Sequence, residues 1–494
     1  MNARLRRGAC PTLSAPMPTG DGLLARLNPV AAGLSPGQLV GLCEAAARHG
    51  NGIVEVTARG SFQIRGLSGA SARRLAVEVD ALGIVVRSGV PVETGPLAGL
   101  DPDEIADPRP LADAIRNAIA AAGLEGRLGP KVSVIVDGGG AWLDEVKADV
   151  RLTAFGDGAW RLAMGGDAKS ARVVGVLAEG DVPAVAVAVL GKIAKLGRQG
   201  RASGVATDAL TTALSAVTLA SFTPPSVLPD ISPSKGEIGP RFEDFAKLQR
   251  WQLAKSTNEE PISPLEGKMS GRTEGGETGG RRIPYTGTPL TDGRFAVPVA
   301  LPFGHSHAKA FIELARSVEK LGAEIRLAPK RTLLLLTPSQ AAAHNVRDTA
   351  RRLGFIVDAA DPRSGIAACP GAPACASGHI GARALAAEIA ANMPAGTSLD
   401  LHVSGCEKRC AKPGHDGLTL LGRPDGVALV LGKADAAPIA TVGHDHALVA
   451  IQRVAGLIAA ERTLGEAEPA CVARIGPARL ADAFASAATS KDTR

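Results

Sequence analysis

Hydrophobic and polar positions follow the same order in two segments of the chain. The first reads GIVEVTARGSFQIRGLSGASARRLAVEVDALGIVV from Gly52, and the second reads AEIRLAPKRTLLLLTPSQAAAHNVRDTARRLGFIV from Ala323. The two align without a gap at an offset of 271 residues, which pairs Gly83 with Gly354. Each predicts a strand, a turn, a second strand, a helix and a closing strand, because strands alternate with period 2 and helices with period 3.6.

A further helix is predicted before each of these units. SPGQLVGLCEAAARHG begins at Ser35 and SHAKAFIELARSVEKLG begins at Ser306. Each serine is a good N-cap, because its hydroxyl can accept a hydrogen bond from a free backbone N–H of the first turn. A larger segment with helices and strands follows each unit. The repetition predicts a duplicated α+β chain.

A polar region at 223–293 separates the two copies. Its part at 256–281 is rich in Gly, Glu, Ser, Thr and Pro and contains almost no large apolar residue. Such a segment offers little surface for burial, so we expect a linker that is partly disordered.

Composition and charge narrow the class of protein. A chain of 494 residues is too long for one core, so several domains are expected. The net charge of +6 suits an anionic partner, but no run of Lys and Arg with aromatic residues between them indicates nucleic-acid binding. No apolar stretch is long enough to span a membrane, and the N-terminus lacks the apolar core of a signal peptide. Seven cysteines without an export signal favour the cytoplasm.

Four of the cysteines lie close together in the second copy. CPGAPAC carries Cys369 and Cys375, and CEKRC carries Cys406 and Cys410. These spacings depart from the common zinc modules, whereas four thiolates on loops rich in Pro and Gly suit an iron–sulfur cluster. A helix predicted at 378–391 would direct its positive end towards such a cluster. Structural zinc remains the alternative.

These motifs resemble those of the sirohaem-dependent nitrite and sulfite reductases. In that family the four cysteines hold a [4Fe–4S] cluster. VTARGSFQIRGL resembles the family's Thr-x-Arg-x-x-x-Gln element, which implies that Thr57, Arg59 and Gln63 contact a tetrapyrrole. LLARL places Arg26 where the family has an anion-binding arginine.

The resemblance also implies an α+β fold with the duplicated nitrite/sulfite reductase architecture. Two ferredoxin-like half-domains are expected at 20–92 and 294–360. Two larger α/β domains are expected at 101–222 and 361–490, and only the second of these would bind the cluster.

Two departures distinguish the chain from the reductases. Lys131 is kept, but Ser133 stands at the second lysine of their Lys-x-Lys motif, and Val90 and Pro91 replace an Arg-Asn pair. A site for sulfite or nitrite needs several converging positive charges. Residues 6–27, 95–112 and 131–140 are instead more similar to the precorrin-3B synthase family of aerobic cobalamin biosynthesis.

This closer resemblance implies a monooxygenase. It would use O2 and reducing equivalents to hydroxylate precorrin-3A at a meso carbon and to close a γ-lactone, with one [4Fe–4S] cluster, a non-haem iron and no sirohaem. The tetrapyrrole is then the substrate, and Arg26, Arg59, Arg65 and Lys131 are expected to bind its carboxylates. Because no convincing Gly-x-Gly-x-x-Gly motif is present, electrons from NADH are expected to arrive through a separate reductase.

Two other functions stay open at this point. One is a sirohaem nitrite or sulfite reductase, which a sirohaem absorption spectrum would reveal. The other is a non-catalytic iron–sulfur or zinc scaffold, which iron and sulfide analysis with a tetrapyrrole titration would reveal. The sequence does not indicate catalytic residues or the ligands of the non-haem iron; His305, His307, His402 and His415 are candidates that also suit ordinary polar or core positions.

Overall fold

The computed structural model describes residues 11–30, 32–206, 285–393, 399–412, 415–433 and 436–486. Most of the predicted linker at 223–293 lies outside these residues, as does Cys10. The predicted linker therefore stays a prediction.

Two antiparallel sheets form the half-domains. In pairing order, the first contains β1 (Met17–Thr19), β2 (Gly22–Leu27), β4 (Phe62–Leu67), β3 (Ile53–Val56) and β12 (His305–His307). The second contains β10 (Thr288–Pro289), β11 (Phe295–Ala300), β14 (Thr332–Thr337) and β13 (Glu324–Ala328). Their helices are α1 (Pro36–His49) and α2 (Gly69–Ala81) in the first copy, and α5 (Ala308–Lys320) and α6 (Gln340–Arg352) in the second. Strands and helices therefore recur in the order that the sequence repeat predicts.

Each copy contributes a short backbone segment that pairs with an edge strand of the other copy. β12, which belongs to the second copy, pairs antiparallel with β3, so that His305 lies opposite Glu55. In the reciprocal position, Leu34 of the first copy forms a bridge with Ile325 of β13. This exchange corrects one expectation: Ser306 lies within β12 and does not cap α5. Ser35 does cap α1, accepting a hydrogen bond from the backbone N–H of Gln38.

One hydrophobic core joins the two copies. α1 and α5 pack against each other, and buried residues from both sheets belong to the same cluster. Phe311 of α5 lies at its centre, with its ring centroid 6.1 Å from that of Phe62 and 5.6 Å from that of Phe355. The two half-domains are therefore expected to unfold together.

The two larger domains have the same sheet topology as each other. The first sheet has the order β5 (Val92–Glu93), β6 (Val134–Asp137), β7 (Ala148–Gly156), β8 (Ala159–Gly166), β9 (Arg172–Ala178). The second has the order β15 (Ile366–Ala368), β16 (Leu401–Ser404), β17 (Gly417–Arg423), β18 (Gly426–Gly432), β19 (Pro438–Val442). In both sheets the first two pairings are parallel and the last two are antiparallel. Helices α3 (Arg109–Ala121) and α4 (Val182–Lys195) belong to the first domain, and α7 (Ala382–Ala391), α8 (Ala447–Glu461) and α9 (Glu468–Ala485) to the second.

The α+β duplicated architecture is confirmed, with two local corrections. The closing strand predicted in each half-domain is reduced to a single bridge, Pro29 with Val86 and Ala300 with Ile356. The helix predicted at 378–391 begins only at Ala382, because the preceding residues pack as loop against the first cysteine motif. Within the described ranges, no helix has the length and apolarity needed to cross a membrane.

Because the two copies share one core, a substitution in that core should lower the stability of the protein. Phe311→Ala should lower the free energy of unfolding by about 3–5 kcal/mol, because it leaves a cavity between the two copies. Phe155→Ala is the matched control: Phe155 is 52% exposed on β7, so its loss should change the free energy by at most about 0.5 kcal/mol. Urea unfolding followed by circular dichroism measures both. Equal effects of the two variants would contradict the shared core.

Candidate functional site

The four clustered cysteines lie at one edge of the second larger domain. β15 and β16 are parallel, with Ala368 beside Val403, so the chain leaves both strands at the same edge of the sheet. Cys369 directly follows β15, and Cys406 follows β16 after Gly405. The carboxyl edge of parallel strands is where α/β domains commonly bind ligands.

Glycines allow the two cysteine loops to approach each other closely. Gly371 has a φ of +68°, and a Cβ added there would lie 2.3 Å from the carbonyl oxygen of Ile380. A Cβ added at Gly405 would lie 2.8 Å from the Cα of Gly371. The backbone N–H of Gly405 donates a hydrogen bond to Cys369 Sγ at 3.1 Å. Lys408 Nζ also donates to Ser377 Oγ at 2.8 Å, which joins the two loops.

The four thiols converge on one another. Burial raises the pKa of Cys410, and the Cys406, Cys369 and Cys375 thiols raise it further. The pKa of Cys406 is raised in the same way, first by burial and then by Cys375 and Cys369. Among the described residues, no group of three or more His, Cys, Asp or Glu is placed to hold a single metal ion. Four thiolates on two facing loops suit an iron–sulfur cluster, because each of its iron atoms is bound by a separate cysteine.

An arginine from each half-domain holds one of the cysteine loops. Arg65 of β4 donates a hydrogen bond of 2.7 Å to the carbonyl oxygen of Ala374, beside Cys375. Arg331, in the turn between β13 and β14, donates to the carbonyl oxygen of Ala411, beside Cys410. Burial lowers the pKa of Arg331 to about 10, so this guanidinium stays charged at neutral pH. The positions of the cysteines therefore depend on both copies.

A row of polar side chains crosses the first sheet. Arg26 pairs with Gln63, Gln63 with Glu55, and Glu55 with His305 in adjacent strands, so all four lie on one face. Arg26 Nε and Nη2 donate to Gln63 Oε1 at 2.8 and 2.6 Å, and Gln63 Nε2 donates to Glu55 Oε2 at 2.6 Å. Arg383 of α7 completes the row by donating to Glu55 Oε1 at 2.7 Å.

Glu55 is the charged centre of this row. Its side chain is buried, with Arg65 Nη1 at 3.7 Å in addition to Arg383. Burial acts to raise the pKa of Glu55, but Arg383 and Arg65 outweigh it and hold the pKa of that carboxyl below its ordinary value. Arg65 also forms a bidentate pair with Asp21, through bonds of 2.9 and 2.8 Å. The polar face is therefore joined to the cysteine domain by charge-assisted bonds.

Arg59 occupies a separate polar patch. Its guanidinium donates to the carbonyl oxygen of Lys147 at 2.6 Å, to Glu93 Oε2 at 2.5 Å and to Ser133 Oγ at 3.4 Å. Thr57 shapes the turn below it, because Thr57 Oγ1 accepts a hydrogen bond of 3.0 Å from the N–H of Ser61. The hydroxyl of Ser133, which stands at the position of the reductases' second lysine, thus faces Arg59.

The predicted substrate residues do not all meet in one place. Arg26, Gln63 and Arg65 share the polar face of the first sheet, while Arg59 lies with Glu93. Lys131 is exposed and lines a small cavity of about 200 Å³ with Arg198 and Arg201.

The equivalent face of the second half-domain carries different residues. Leu334, Leu336 and Arg326 hold the positions equivalent to Gln63, Arg65 and Glu55. Leu334 and Leu336 pack in one cluster with Leu97 and Trp142 of the first larger domain. Arg326, on the same face, is held by Glu324 at 2.7 Å and by the carbonyl oxygen of Pro96 at 2.9 Å. That face of the second sheet is therefore covered, and the polar face of the first sheet is the candidate tetrapyrrole site.

Two histidines lie beneath the cysteine loops. His402 of β16 is buried, its ring centroid is 6.2 Å from that of His415, and neither ring nitrogen of His402 has a hydrogen-bond partner among the described residues. Burial, with His415 next, lowers the pKa of His402 to about 3, so the ring is neutral. Two histidines alone do not make a ligand set for a non-haem iron, so the residues that would hold that iron stay unassigned.

Sequence reasoning missed Glu55, Arg383 and Arg331. Glu55 had a detectable signal, since it stands between Val54 and Val56 in a strand whose neighbours are buried. Arg383 and Arg331 had none, because their contacts join residues far apart in the chain.

Comparison with known proteins agrees with the fold. A model of the nitrite/sulfite reductase ferredoxin-like half domain matches residues 15–82. The structure of the Mycobacterium tuberculosis NirA protein superposes with a TM-score of 0.64 at 17% identity, covering 93% of this chain and 84% of that one, which shows the shared fold.

A precorrin-3B synthase from Sinorhizobium sp is 35% identical over 490 residues, which cover 98% of this chain and 95% of that protein. A match of this identity over nearly the whole of both chains goes beyond a shared fold. The chain therefore belongs to the precorrin-3B synthase family.

Proposed function

We propose that this protein is a cytoplasmic monooxygenase that converts precorrin-3A to precorrin-3B in aerobic cobalamin biosynthesis. The observation that carries the proposal is that two features lie next to each other. The polar, arginine-bearing face of the first sheet lies against the four-cysteine edge of the second larger domain, and Arg65 contacts both. A tetrapyrrole with several carboxylates suits the first feature, and a redox cluster suits the second.

Cys369, Cys375, Cys406 and Cys410 would hold one [4Fe–4S] cluster. When bound, such a cluster stores and passes single electrons. The N–H of Gly405 is already directed at a cysteine sulfur, and Arg65, Arg331 and Lys408 supply positive charge around a group that carries net negative charge. NADH would supply the electrons through a separate reductase. A non-haem iron completes the proposed cofactors.

The carboxylates of precorrin-3A would be bound by arginine and lysine side chains. Arg26 lies on the polar face with Gln63, Arg59 lies in the patch with Glu93, and Lys131 lines the small cavity with Arg198 and Arg201; Thr57 shapes the turn that carries Arg59. Arg59 is paired with Glu93 in the structure, and a substrate carboxylate would replace Glu93 as its partner. Arginine suits this role because its planar fork binds carboxylates in a bidentate manner.

The reductase alternative has less support in this patch. Reduction of sulfite or nitrite requires several positive charges around a small anion. Here Arg59 faces the Glu93 carboxylate and the Ser133 hydroxyl. The likeness to the NirA structure concerns the fold alone.

The first test concerns the cluster. Cys406→Ser should lose the iron and sulfide of the anaerobically purified protein, because one of four thiolate ligands is removed. Cys43→Ala and Cys471→Ala are the controls, since Cys43 is buried in the core of the half-domains and Cys471 Sγ donates to the carbonyl oxygen of Ile458 at 3.8 Å. Iron and sulfide analysis with electron paramagnetic resonance measures the outcome. Full cluster content in Cys406→Ser would overturn the assignment.

The second test concerns substrate binding. Arg59→Ala should weaken tetrapyrrole binding by about 1.5–3 kcal/mol, or roughly 10- to 150-fold, because it removes one charge-assisted contact. The absorption spectrum of the cluster should not change. Arg316→Ala is the matched control, since the side chain of Arg316 is 60% exposed on α5. Fluorescence titration under anaerobic conditions measures the affinity, and equal affinities of Arg59→Ala and Arg316→Ala would count against the assigned role of Arg59.

The third test separates the two activities. With a strong artificial reductant, the purified protein should not turn over sulfite or nitrite, and it should contain no stoichiometric sirohaem. Sulfite reduction at an enzymatic rate would support the reductase function instead.

A further inference from the structure

Arg331 has a backbone conformation that arginine seldom adopts. It lies in the turn between β13 and β14, where Lys330 and Arg331 have φ of +60° and +62°. The offset of 271 residues pairs Arg331 with Gly60, which has a φ of +79° in the equivalent turn of the first copy. Glycine adopts a positive φ without the strain that a Cβ introduces, and such strain is retained mostly at functional sites. The second copy therefore carries an arginine where the turn favours glycine.

The surroundings of Arg331 direct its side chain towards the second cysteine loop. The backbone N–H of Leu301 donates a hydrogen bond of 2.9 Å to the carbonyl oxygen of Arg331. Gly304 leaves room for the side chain, because a Cβ added at Gly304 would lie 2.6 Å from Cδ of Arg331. The guanidinium then donates to the carbonyl oxygen of Ala411, the residue after Cys410. Backbone and side chain are thus both held in place beside a proposed cluster ligand.

Arg331 also differs from its neighbouring arginines in its charge balance. Arg65 is paired with Asp21 at 2.8 Å, and Arg383 is paired with Glu55 at 2.7 Å. Among the residues that the structure describes, no carboxylate forms an ion pair with Arg331; Glu55 attracts it from farther away, and Arg383 repels it. A cation removed from water costs free energy unless an anion compensates it. An anionic group held by the neighbouring cysteine loops would provide that compensation.

We propose that Arg331 is a positioning residue that provides the counter-charge of the iron–sulfur cluster and raises its reduction potential. The inference rests on the proposed function, because it requires the cluster on the four cysteines. A cluster held by four thiolates carries net negative charge, and each added electron makes it more negative. A fixed cation nearby stabilises the reduced form more than the oxidised form, so the charge of Arg331 favours uptake of an electron.

Two neutral variants test the charge of Arg331. Arg331→Gln removes the charge but keeps a hydrogen-bond donor, and Arg331→Gly restores the residue that the turn has in the first copy. Both should lower the midpoint potential of the cluster by about 59 mV, a tenfold change in the one-electron equilibrium. Arg331→Lys keeps the charge and should stay within about twofold of the parent equilibrium. Titration of the anaerobic holoprotein with dithionite as electron donor, followed by electron paramagnetic resonance, measures the potential.

Lys330→Gln is the matched control. It removes the same charge from the adjacent residue, which also has a positive φ. Lys330 Nζ is paired with Glu145 at 2.9 Å, and the side chain of Lys330 is 37% exposed. Solvent screens such a charge, so the one-electron equilibrium should again stay within about twofold of the parent. Circular dichroism checks that each variant is folded.

The outcomes separate this inference from the proposed function. A lower potential in the neutral Arg331 variants, but not in Arg331→Lys or Lys330→Gln, supports the counter-charge. Loss of the cluster in the neutral variants while Arg331→Lys keeps it supports the same conclusion. Unchanged potentials in all variants overturn the inference and leave the cluster and the proposed function intact. Equal effects of Arg331→Gln and Arg331→Lys overturn it too, because the charge would then not be responsible. A parent protein without iron and sulfide would overturn both.

Discussion

The buried carboxylate of Glu55 is the interaction on which the rest of the site depends. An ionised group costs several kcal/mol to bury unless charged partners and hydrogen bonds compensate. Arg65, Arg383 and Gln63 provide that compensation, and they come from β4 of the first copy and α7 of the cysteine domain. Arg65 also donates a hydrogen bond to the carbonyl oxygen of Ala374. The arginine that compensates the Glu55 charge therefore also holds a cysteine loop against the sheet. The same contacts orient the polar face on which we expect the substrate.

The two copies of the duplicated chain have the same fold but carry different functional residues. Both larger domains have two parallel strands with loops leaving the same edge, but Cys406 follows β16 whereas glycines at 138–140 follow the equivalent β6. The four strands that the two half-domain sheets share have the same order, but Leu334 and Leu336 of the second sheet stand where Gln63 and Arg65 stand in the first. Leu334 and Leu336 are covered by the first larger domain, so one copy keeps the row of Arg26, Gln63 and Glu55 and the other keeps the cysteines. The exchanged strand β12 brings His305 of the second copy to the face of the first.

Much of the fold could be predicted from the sequence, because the repeat places β13 and α6 at the positions that the offset of 271 residues requires. The clustered cysteines were also detectable, since both pairs are local in sequence. The exchanged strand was not, and Ser306 looked like a helix cap because edge pairing with β3 is a tertiary contact. For the same reason, no sequence motif could predict that Arg65 forms hydrogen bonds with Asp21 and Ala374. Local patterns specify elements, whereas the partners of buried charges depend on distant parts of the chain.

Transfer of labelled oxygen tests the central claim most directly. The holoprotein would be incubated with precorrin-3A, NADH, a competent reductase and isotopically labelled O2, and the tetrapyrrole product would be analysed by mass spectrometry. A monooxygenase should yield a hydroxylated lactone that carries one labelled oxygen atom from O2. A product without label, formed while the cluster on Cys369, Cys375, Cys406 and Cys410 is intact, would contradict the monooxygenase function.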